Sequence, residues 1–111
     1  MPEPKVSKSE RRSRNRLVKR VDVRVRNAQD STQHNAHTRD VSTNGVFLYT
    51  QSRLVEGAQL ELVMMLPPEF TGGEKCWVCC QAQVCRVERL GQHFGVAAEI
   101  QRIEALPEIP A

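Results

Sequence analysis

The period of the apolar residues most constrains what this chain can become. Val21, Val23 and Val25 alternate with Arg20, Asp22, Arg24 and Arg26. Leu60, Leu62, Met64 and Leu66 alternate with Glu61, Val63 and Met65 in the same way. A period of two with β-branched residues on one face is the mark of a half-buried strand. The run Asp40-Val41-Ser42-Thr43-Asn44-Gly45 is dense in turn formers and leads into the strand-like Val46-Phe47-Leu48-Tyr49-Thr50, which predicts a hairpin. Polar residues 27–34 read as a loop, and residues 54–57 as the next connection. Pro67-Pro68 ends the following strand, and residues 71–74 make a flexible tip. Residues 75–90 fit one long strand or two pieces, and 94–100 a last strand after a turn at 91–93. Residues 101–106 read as a short helical turn stopped by Pro107 and Pro110. No segment sustains a 3.6-residue period, and there is no long internal repeat. Short strands separated by turn signals imply a small antiparallel barrel or sandwich.

A chain of 111 residues makes one domain and can bury a core without metal or disulfide staples. No apolar run approaches the roughly 18 residues needed to span a bilayer, so no membrane insertion is expected. The polar N-terminus has no apolar signal core, which predicts a cytoplasmic protein. Aromatics at 5% argue against a stacking platform for single-stranded nucleic acid. Charge is unevenly placed. Ten of the 16 basic residues and three of the 13 acidic ones fall in residues 1–26, so that segment nets +7 and the rest −4. A basic block of this kind signals an anionic partner or a solvated tail. Residues 1–10 read as a disordered leader.

Two clusters carry the candidate chemistry. Arg12 and Arg16 stand four apart just before the first strand. A guanidinium offers a planar donor fork for phosphate or a guanine edge, and a flat face that stacks on a base. Taken alone, the pair reads as part of a solvated basic leader. Asp40, Ser42 and Gly45 lie in the predicted turn. An Asx-turn at Asp40, a backbone cap at Ser42 and a positive φ at Gly45 would explain them as turn chemistry alone. At a rim, the Asp40 carboxylate would also accept the N1–H and N2–H of a guanine.

Arg12-x-x-x-Arg16 followed by Asp40-x-Ser42-x-x-Gly45, in an all-β context that closes with Phe94-Gly95-Val96, resembles the PilZ domain, the bacterial receptor module for cyclic di-GMP. The resemblance covers roughly residues 11–100. It implies a six-stranded antiparallel split barrel with a flexible basic N-terminal arm and a short or absent C-terminal helix. It divides the chain into a leader at 1–10, one domain at 11–103 and a tail at 104–111. It assigns cyclic di-GMP to Arg12, Arg16, Asp40, Ser42 and Gly45, with Arg11 as a further contact that tends to accompany an intercalated ligand dimer. It implies a receptor rather than an enzyme, without cofactor or metal. The signal passes through ordering of the arm and contact with an unidentified partner protein. The rival expectations are a basic-arm nucleic-acid binder and a non-binding adaptor of the type IV pilus kind.

The remaining reactive residues favour ordinary roles. Cys76, Cys79, Cys80 and Cys85 fall within ten positions. On a strand Cys76 and Cys80 share one face and Cys79 and Cys85 the other, so four thiolates do not converge on one ion. They read as small hydrophobes in a reducing compartment. His34, His37 and His93 read as surface residues, with His37 near enough to line the turn. Arg39 pairs with its neighbour Asp40, and Phe47 reads as core.

Overall fold

A computed structural model describes residues 17–106. The alternating segments become strands: β1 (Asp22–Asn27), β2 (Gln33–Val41), β3 (Gly45–Thr50), β4 (Gln59–Leu66), β5 (Cys76–Leu90) and β6 (His93–Ala105). They pair antiparallel in the order β1-β2-β3-β6-β5-β4, and β4 returns to β1 to close a six-stranded barrel. The inward faces carry the apolar set. Val23 and Val25 of β1 meet Val46 and Leu48 of β3, Leu60, Leu62 and Met64 of β4, and Cys80, Ala82 and Val84 of β5 in one core. Closure leaves this single interior as the place where period-two hydrophobes can be buried.

Three local expectations change. Residues 33 and 34 belong to β2, not to a loop: Arg26 pairs with Gln33 and Val25 with His34. Their polarity hid a strand whose pairing comes from β1. Residues 101–105 continue β6 rather than turning helical, because the N-terminal half of β5 offers partners: Gln81 faces Arg102 and Cys79 faces Glu104. Between β4 and β5, Pro68–Thr71 form a helical turn (α1), closed by Gly72 in the left-handed region with φ 78°. Its amide donates to the Pro68 carbonyl at 2.8 Å. Proline at the first helical position lacks only an amide that would have no partner there.

The chain entering β1 is pinned twice. Leu17 and Val41 exchange backbone hydrogen bonds of 2.7 and 3.0 Å. The Thr38 hydroxyl, in a residue 1% exposed, accepts from the Val21 amide at 2.9 Å and donates to the Lys19 carbonyl at 2.8 Å. Cys80 faces the core and Cys76 packs against it, while Cys79 lies on the outer face and Cys85 is exposed. Burial pushes the Cys80 thiol up to about 11 and raises Cys79 as well.

Candidate functional site

The site is built by two interruptions of the strand pattern. In β2, Thr38 pairs with Leu48 and Asp40 with Phe47, so Arg39 is an extra residue. Strict alternation from Ala36 and Thr38 would send Asp40 into the barrel. The bulge turns it outward and returns Val41 to the core. In β5, Val84 pairs with Ala98 and Arg86 with Ala97, so Cys85 is the extra residue. There too, alternation from Ala82 and Val84 would bury Arg86, and the bulge exposes it. Bulges commonly re-aim a side chain in this way. The result is a row across the outer face of four strands, Asp40–Phe47–Ala97–Arg86, each residue directly opposite the next.

Beside this row lies an open depression of about 490 Å³, lined by Arg39, Asp40, Ser42, Gly45, Phe47 and Arg86, and floored by Ala97 and Ala98. Asp40, Ser42 and Gly45 are therefore brought together. Ser42 shapes the turn as expected: its hydroxyl accepts from the Asn44 and Gly45 amides at 3.3 and 3.2 Å and donates to the Gly45 carbonyl at 3.2 Å. Two expectations are corrected. Asp40 lies in β2 ahead of the turn rather than opening it. Gly45 is not among the residues with positive φ. It is a strand residue whose missing side chain allows close packing, since a Cβ there would stand 3.3 Å from the Ala98 carbonyl oxygen.

Arg39 and Asp40 form the expected pair, Nε to Oδ2 at 2.8 Å, with side chains 48% and 14% exposed. The bond to Asp40 raises the Arg39 pKa further. The guanidinium also lies 4.0 Å over the centre of the Phe47 ring. Phe47 is buried as expected, but on the outer side of the barrel wall and apart from the interior cluster. The odd positions of β3 face outward, and Arg39 covers the ring. Gly95 makes room beneath it: a Cβ there would meet the Phe47 Cζ at 2.7 Å.

His37 packs on Tyr49, with ring centroids 5.5 Å apart, and does not line the depression. His34 is half-buried rather than a surface residue. Its Nε2 is enclosed with no hydrogen-bond partner among the described residues, and burial lowers its pKa. Arg11, Arg12 and Arg16 lie outside the described residues. Leu17, bonded directly to Arg16, is held against Val41, the residue between Asp40 and Ser42. Arg86 was missed by the sequence reading. Its signal was the spacing of Val84 and Val87, three apart where alternation demands two. Among the described residues no group of three or more metal-ligating side chains gathers, and no helix is long and apolar enough to cross a membrane.

The family model described as the PilZ domain matches residues 10–106. The chain belongs to the PilZ domain family, a cyclic di-GMP receptor family whose members are regulatory receptor or adaptor domains. Among solved structures it is similar to the inhibitor of motility MotI/DgrA of Bacillus subtilis, with a TM-score of 0.65 and 17% identity over 80% of this chain and 42% of that one. It thus spans less than half of that protein. It is also similar to the PilZ domain of CeSA from a cellulose-synthesizing bacterium, with a TM-score of 0.48 and 20% identity over 76% of this chain and 78% of that one. A comparison with curated proteins finds no match.

Proposed function

We propose that this protein is a cyclic di-GMP receptor that acts in the cytoplasm, without catalytic chemistry or a cofactor. Its ligand site joins Asp40, Ser42 and Gly45 to Arg12 and Arg16, with Arg11 as a further contact. The observation that carries this reading is the Leu17–Val41 pairing, which delivers the chain from Arg16 to the rim formed by Asp40 and Ser42. Cyclic di-GMP presents two phosphodiester charges and two guanines. Arginines suit the former, and a carboxylate suits the N1–H and N2–H of the latter. The outer surface at Gly45 carries no side chain, so a base can approach the backbone there. Charge neutralisation at the arginines draws them onto the rim, and the altered surface is read by a partner protein.

Calorimetric titration with cyclic di-GMP, beside GTP and cyclic di-AMP, tests the assignment. Saturable binding selective for cyclic di-GMP, lost in Arg16→Ala, is the expected result. Absence of binding by folded protein overturns it and leaves the adaptor reading. Hydrogen exchange across residues 11–19 tests the switch: protection unchanged by ligand refutes it.

A further inference from the structure

We infer that Arg86 on β5 is a further phosphate contact of the cyclic dinucleotide site, made from the far end of the outer row that begins at Asp40. This inference rests on the receptor reading above. Three observations converge on it. The β5 bulge exists at the one point where alternation would bury a guanidinium, and it places Arg86 at the far end of the row that begins at Asp40. Between them, Phe47 lies under the Arg39 guanidinium, and Ala97 next to Arg86 is small and uncharged and keeps that part of the floor low. An anion lying over Ala97, beyond the Phe47 ring that Arg39 covers, therefore meets a cation at the β5 side. The charge balance agrees. Among the described residues the lining holds two guanidiniums, Arg39 and Arg86, against the one carboxylate of Asp40, which Arg39 meets at 2.8 Å.

Arg86 is held in reserve by a weak partner. Its guanidinium stands 3.3 Å from Glu88 on the same strand, with side chains 61% and 44% exposed. Glu88 does not line the depression. An exposed ion pair of this kind contributes little and is readily exchanged. A phosphodiester offers the guanidinium the same fork geometry with a charge that comes from the ligand. Binding thus trades a solvent-screened carboxylate for a phosphate at Arg86.

Titration of wild type, Arg86→Ala, Arg86→Lys and Glu88→Gln with cyclic di-GMP tests the inference, with far-UV dichroism confirming the barrel in each. Arg86→Ala should raise Kd about tenfold or more, the size expected for one charge-assisted contact. Arg86→Lys should lose clearly less than Arg86→Ala, about three- to fivefold, because an ammonium keeps the charge but not the fork. Glu88→Gln should tighten binding about two- to fivefold, an effect that disappears in the double variant with Arg86→Ala. Wild-type affinity in Arg86→Ala overturns the inference while the receptor reading stands. A loss in Arg86→Lys as large as in Arg86→Ala overturns the phosphate contact. Absence of binding by the wild type overturns both readings together.

Discussion

Thr38→Val is the sharpest test of how the barrel holds the strand that leads to the site. The two side chains have nearly the same shape, so the substitution exchanges a hydroxyl for a methyl and little else. The hydroxyl serves two backbone groups, the Val21 amide at 2.9 Å and the Lys19 carbonyl at 2.8 Å. Leaving a buried backbone group unpaired costs about 1–3 kcal/mol. The bond to the Val21 amide is buried and takes the larger share. The Lys19 carbonyl borders solvent and recovers part of its loss from water. Together they predict a destabilisation of about 2–3 kcal/mol, or a Tm lower by roughly 8–20 °C for a domain of this size. Thr38→Ser keeps both bonds and gives up one buried methyl, about 1 kcal/mol. Urea unfolding followed through Trp77, the single tryptophan, measures both variants. A Thr38→Val protein as stable as Thr38→Ser would refute the argument, since the hydroxyl would then contribute no more than its methyl neighbour.

Other consequences follow from the outer face, the buried histidine and the thiols. Gly95→Ala should cost about 1–3 kcal/mol by overpacking against Phe47, and Phe47→Leu in the same chain should relieve part of that cost, which urea unfolding of the double variant reads as non-additivity. His34 has its folded pKa lowered by burial, so the unfolded chain binds its proton first and stability falls as pH drops below about 6.5. His34→Gln should flatten the fall in Tm between pH 7 and 5.5, and an unchanged slope would assign it to other groups. Exposed Cys85 should alkylate well before Cys80, whose thiol is buried and held near 11, as mass spectrometry of partially labelled protein would show.

Most of the barrel is legible in the sequence because one physical rule dominates it. Val23, Val25, Leu60, Leu62 and Met64 alternate where a strand has one wet face and one dry one, and the structure buries all five. The misreadings occur where that rule yields to pairing from elsewhere in the chain. Gln33 and His34 are extended by β1, and residues 101–105 by the start of β5, neither of which leaves a local apolar pattern. The candidate site divides along the same line. Ser42 and Gly45 announce a turn by composition. Asp40 and Arg86 reach the outer face only through bulges, which appear in the sequence as a slip in phase, Thr38 to Val41 and Val84 to Val87. Phe47 looks like core because it is large and apolar, yet a single arginine stacked on it supplies the cover.

The Leu17–Val41 bridge also sets a local concentration. Arg12 is five residues from Leu17, a tether that spans at most about 17 Å when fully drawn out. On the receptor reading, a tether of that length gives Arg12 an effective concentration at the Asp40–Ser42 rim of about millimolar or more. On the same reading, capture of the arm is an intramolecular step, and the ligand need not recruit it from solution. The same arm supplied as a free peptide to a chain lacking it would have to reach that concentration before the site worked again.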